Sequence, residues 1–354
     1  MKNILHISLI VAAAILASCT MTVVEYEAAG DIGFAPQNGY ITKLAAVNGE
    51  VYPTTLNMYI FAETDVNKSA DADYINNGEF AYRHRDNAEF HEWGGYDSET
   101  DKIVQYPWPN NNNLHFAGYS KSGNIGAGAT VQYNCSTDVL TIQGYSPGSG
   151  AGIPGDNDLM YFPNTKSSVP EGFKGSEGAV PVNMLHTCSW ISFLVKGDNM
   201  STGLGTSTYS VKSLKITGIY DTANVTCQEE NIVWSYTNAQ SQSYSKTASV
   251  TVLSKPISLA NTMAFGIEAE DLLNNTVLIP QIPGKLELVY SDGAAEYRRE
   301  GETALDLKIN EDPNLNKWEP GKHYTYTITI KANTIQIEPS PVKWTSGDWG
   351  VTVE

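Results

Sequence analysis

The segment that most restricts the fold is KWEPGKHYTYTITIK, residues 317–331. Pro320 and Gly321 suit the two central positions of a type II turn, because Pro fixes φ and Gly tolerates a positive one. Beyond the turn, Tyr324, Tyr326, Ile328 and Ile330 fall on one side of an extended chain, and His323, Thr325, Thr327 and Thr329 on the other. A period of two, with large apolar residues on one side and β-favouring polar ones on the other, specifies a strand with one buried face.

Other segments read the same way. LHFAGYS (114–120), ATVQYN (129–134), VLTIQGY (139–145) and SVKSLKITGIY (210–220) are short strands, and Asn-Gly pairs at 38–39 and 48–49 mark hairpin turns. MLHTCSWISFLVK (184–196) reads as one long strand, apolar on nearly both faces from Trp190 to Val195, as in the middle of a sandwich. AEDLL (269–273) is the best short helical candidate, and no fixed-period repeat is present. Twenty Tyr, seven Trp and thirty Gly agree with turn-rich β structure. A chain of 354 residues has room for about two domains. The expected fold is therefore all-β, two β-sandwich domains in tandem, with a boundary near Asp221 to Gln228. His186, Trp190 and Phe193 are expected in the first core, and Tyr324, Tyr326 and Ile328 in the second.

The N-terminus, MKNILHISLIVAAAILASC, has one Lys, an apolar run from Ile7 to Leu16, and then small residues. The run is too short to span a bilayer and reads as an export leader. Its end, Leu16-Ala17-Ser18-Cys19, resembles the bacterial lipobox, which makes Cys19 the expected lipid attachment site. The net charge of −17 argues against nucleic acid as a partner. The remaining cysteines, Cys135, Cys188 and Cys227, are odd in number and fit no zinc spacing, so buried free thiols are the default and a single disulfide the minority reading.

No motif for catalysis stands out. None of the six His belongs to a HExxH helix, and GNIGAGA (123–129) lacks the Lys and the helix of a phosphate cradle. His186 and Cys188 lie two apart, where core packing is a stronger reading than a nucleophile and its base. The acids Asp65, Asp71 and Asp73, and the pair Asp156 and Asp158, read as solvated loop residues ahead of calcium ligands. A glycosidase requires two carboxylates at a set separation, on which spacing in sequence is silent. Trp318, Trp344 and Trp349 read as core or strand-edge residues ahead of sugar platforms.

Five of these stretches, in order, resemble motifs of the fimbrillins of Bacteroidales, subunits of lipoprotein-derived pili. They are IGF (32–34) with TKL (42–44), YPWPNNNNLHFAGYS (106–120), VPVNMLHTCSWISFLVK (180–196), VLIPQ (277–281) and WEPGKHYTYTITI (318–330). Gly118 stands where the family usually has Ala. The resemblance implies a fold of two tandem transthyretin-like sandwiches and no enzymatic activity, cofactor, catalytic residue or metal. It divides the chain into a lipoprotein leader (1–18), an arm with a removable first strand (19–43), and sandwiches at 44–222 and 223–354. It further implies a lipid-anchored precursor at the outer membrane, clipped after its first strand and polymerised by donor-strand exchange into a fimbrium. In this sequence the first strand includes Ile32 and Phe34. Cleavage falls at Lys43, where the family usually carries Arg, and no Arg precedes Arg83. TIQIEPSPVKWTSGDWGVTVE (334–354) supplies candidate donor material. The implied partners are other fimbrial subunits, the outer membrane through the lipid, and a host or bacterial surface receptor. The runner-up is a monomeric outer-membrane glycan-binding lipoprotein.

Overall fold

The structure, a computed structural model, describes residues 31–36, 57–64, 74–84, 91–109, 113–121, 125, 128–147, 158–167, 180–197, 209–237, 244–253, 257–259, 276–330 and 335–343. Cys19, Lys43, the helical candidate at 269–273, Asp65, Asp71, Asp73, Asp156, Trp344 and Trp349 lie outside these residues.

The regular elements among the described residues are strands, apart from one short 3-10 helix at Gly301–Thr303. The first run comprises β1 (Gly33–Pro36), β2 (Asn57–Thr64), β3 (Ile75–His84), β4 (His91–Asp97), β5 (Lys102–Ile103) and β6 (Leu114–Lys121). Next come β7 (Thr130–Asn134), β8 (Val139–Tyr145), β9 (Met160–Ser167), β10 (Val180–Val182) and β11 (Leu185–His186). The middle of the chain gives β12 (Ser189–Gly197), β13 (Tyr209–Ile219), β14 (Ala223–Gln228), β15 (Asn231–Ser235), β16 (Ala248–Thr251) and β17 (Ile257–Leu259). The rest are β18 (Thr276–Leu278), β19 (Lys285–Ser291), β20 (Glu296–Arg299), β21 (Leu305–Asp306), β22 (Lys322–Ile330) and β23 (Ile335–Lys343).

Four sheets result. The largest runs β10-β1-β4-β3-β2-β6-β9-β11, with β5 beside β4. It curls until β10 lies against β9. Alternation along β2 sends Met58, Ile60 and Ala62 to the concave core and Phe61 to the opposite one. That opposite face packs on the sheet β15-β14-β8-β7, which contributes Tyr133, Leu140, Ile142, Val225 and Cys227. Cys135, Cys188 and Cys227 are buried and outside any disulfide, and burial pushes the Cys188 thiol up to about 12. The other two sheets, β18-β12-β22-β23 and β16-β13-β19-β20, enclose a separate core that holds Phe193, Leu214, Leu288, Tyr324, Tyr326 and Ile328.

The alternating segment that follows Pro320-Gly321 is β22. Its four large apolar residues are buried, and Gly321 carries the positive φ of 63°. Trp318 belongs to this core and is no sugar platform: it is 1% exposed, and its indole N–H donates to Tyr326 Oη at 2.9 Å. Its backbone N–H donates to Gln281 O at 2.8 Å, tying the turn to the VLIPQ segment.

One expectation needs correction. Residues 184–196 are not one strand. Thr187 and Cys188 interrupt it, so that β11 pairs with β9 while β12 pairs with β18 and β22. The interruption is held because each neighbour satisfies different backbone groups. Thr187 N–H donates to Leu159 O at 2.9 Å, and Cys188 O accepts from Gly321 N–H at 2.8 Å. Phe193 consequently lies in the core with Tyr326, while Trp190 packs in the core with Tyr133. The chain passes more than once between the two sheet pairs. β12 and β13 join the sheets that hold β22 and β19, whereas β14 and β15 return to β8.

Candidate assembly site

The site is the place of the first strand. β1 lies inside its sheet, parallel to β10 on one side and antiparallel to β4 on the other. Phe34 pairs with Val180 of β10 and Trp93 of β4. Ile32 N–H donates to Tyr106 O at 2.8 Å, extending the pairing beyond the strand. The β1–β10 pair is the only parallel neighbour in this sheet among the described residues; the others are antiparallel.

Ile32 and Phe34 are two apart and reach the same core, 1% and 0% exposed. Phe34 stands edge-on to Phe80, centroids 4.9 Å apart, and to Phe116 at 5.2 Å. Trp108 meets Phe116 edge-on at 5.7 Å, closing the cluster. Burying the Ile32 and Phe34 side chains is worth roughly 3–6 kcal/mol together. Withdrawing β1 would therefore open an apolar slot and strip hydrogen-bond partners from β4 and β10 at once.

β10 was not legible as the partner. Val180-Pro181-Val182 gives only three residues, and Pro181 argues against an interior strand. Its position at the end of the sheet path resolves this, since an edge strand tolerates a missing N–H. The donor candidate 334–354 is divided: residues 335–343 form β23, already paired with β22 at nine positions.

Near the far end of the same sheet sits a second feature. Asp158 is fully buried and pairs with His186 Nδ1 on β11. Asp158 is thus no solvated loop acid. Burial raises its carboxyl above the ordinary range, with His186 pulling the other way. The pair ties the start of β9 to β11 and is enclosed by packing. Among the described residues no group of three or more His, Cys, Asp or Glu could hold a metal ion.

A family model described as fimbrillin-like matches residues 51–349, a span that begins after β1 and Lys43. No curated protein matches the chain. Among solved structures, a fimbrial protein from Bacteroides vulgatus is similar over 89% of this chain and 99% of its own, at 15% identity and TM-score 0.59. A proposed cell adhesion protein from Bacteroides uniformis is similar over 89% of this chain and 98% of its own, at 14% identity and TM-score 0.49. The first of these likenesses is one of fold.

Proposed function

The chain belongs to the fimbrillin-like family, and from that premise we propose that it is a structural subunit of cell-surface fimbriae whose precursor keeps its own first strand until processing removes it. The observation that carries the proposal is the position of β1, an interior strand between β10 and β4. An interior strand that is removed leaves unpaired backbone on two neighbours, and such groups demand new partners. An extended segment from another subunit meets that demand by strand addition, with alternating apolar side chains replacing Ile32 and Phe34.

Cys19 serves as the lipid anchor at the outer membrane in this reading, and Lys43, in the 20-residue stretch between β1 and β2, is the cleavage point. The donor is assigned to residues 344–354, since β23 is already engaged. The two sheet pairs act as tandem sandwich units. Limited trypsin digestion of the precursor, followed by sizing at raised concentration, tests the scheme against a Lys43→Gln variant. The expected result is cleavage after Lys43 and high-mass polymers from the wild type alone. A clipped protein that loses residues 31–36 and stays monomeric, even with other fimbrial subunits added, would overturn strand exchange here.

A further inference from the structure

We propose that residues 344–354 dock in their own molecule, adding a strand to the open edge of β15 within the groove where the two sheet pairs meet. The groove measures about 750 Å³ and is walled by β15, residues 184–186, residues 280–282 and the turn at 317–322.

Backbone polarity identifies what the groove takes. β15 ends its sheet, with β14 on one side only. The hairpin closes at Gln228↔Asn231 around two loop residues, and the closing pair of such a hairpin exchanges hydrogen bonds. The alternation then makes Thr226↔Val233 and Asn224↔Ser235 bonded pairs as well. Ile232 and Trp234 therefore turn their N–H and C=O groups outward, and among the described residues nothing receives them. An extended peptide is the ligand that satisfies such an edge.

Side chains agree. Val233 and Ile282, both walls of the groove, are 49% and 56% exposed, an apolar rim that water covers poorly. The aromatic groups have little left for a sugar. Trp234 Nε1 donates to Thr187 O at 2.8 Å, Tyr236 Oη donates to Pro280 O, and the Tyr236 ring is stacked on Tyr220 at 4.6 Å.

Topology identifies the source. Lys343, the last residue of β23, pairs opposite Lys322, which lines the groove. The chain beyond Lys343 is therefore tethered at the mouth. The eleven residues from 344 to 354 span about 36 Å when extended. They include WGVTVE (349–354), a sequence without Pro in which Trp349, Val351 and Val353 alternate, so that an extended conformation would put them on one side. A segment tethered at the mouth meets the edge at an effective concentration on the order of millimolar, far above that of a second molecule in dilute solution. This docking stands whether or not the same segment is later donated to another subunit.

Hydrogen exchange on the purified full chain tests it. The Ile232 and Trp234 amides should exchange at least about tenfold more slowly in the wild type than in a chain ending at Lys343 or in a Val351→Asp, Val353→Asp double variant. Core amides such as Leu214 should be unchanged, which separates the effect from misfolding; if the shortened chain fails to fold, the double variant carries the comparison. Equal exchange in wild type and double variant overturns the proposal. Protection that fades on dilution, together with a doubled mass, would place a second copy in the groove and overturn it equally.

Discussion

Gly118 shows how much one missing methyl can decide. A Cβ there would lie 2.5 Å from Tyr59 O and 2.6 Å from the Phe162 ring, between two neighbouring strands of the same sheet. Gly118→Ala should cost about 1–3 kcal/mol of overpacking strain, read as a lowered urea midpoint with an unchanged slope. A neutral result would mean that β2 and β9 can part at no cost. The sequence marked Gly118 as a departure from the resembled pattern but offered no reason, because the clash comes from strands on either side. Asp158 was likewise illegible, since its partner His186 is 28 residues away. Its raised pKa makes a pH prediction. The folded chain holds the Asp158 proton more tightly than the unfolded chain does. That contribution to stability is complete below the ordinary carboxylate value, about 4, and is lost as pH rises through the raised folded value. Asp158→Asn still accepts from His186 and has no such titration. Its melting temperature should fall less than the wild type's between about pH 4 and pH 7; parallel curves would remove Asp158 from the account.

Alternation made most individual strands readable. β22 follows it over its whole length, and β6 and β8 follow it closely enough to be placed. What a period of two does not encode is the identity of the sheet a strand joins. The apolar run at 184–196 looked continuous because Cys188 and Trp190 are as apolar as Ile191 and Phe193, although the former pair faces one core and the latter another. β1 was placed through Ile32 and Phe34, and its energetics can be measured directly. Phe34→Ala in the full chain should lower stability by about 3–5 kcal/mol, since the ring fills a slot among three other Phe rings. Urea unfolding reads this, and a loss under about 1 kcal/mol would mean that the first strand is not part of the folded core.

For the molecule as a whole, the all-β class was legible from strand and turn density, while the partition of strands between sheet pairs was not. Export and anchoring belong to this scale too. Cys19→Ser should abolish lipid labelling and release the protein from the membrane fraction; labelling that persists in the variant would remove Cys19 from the anchor. The route of the chain between the sheet pairs has a mechanical consequence. The chain passes between the sheet pairs at 187–188, again between β13 and β14, and a third time between β15 and β16. No single tether joins the halves. β12 also leaves the first crossing to lie parallel to β22 over eight registered positions, a ladder whose bonds resist shear together rather than opening one after another. A filament subunit built this way transmits a pull as one stiff link, where two beads on a cord would first stretch the cord.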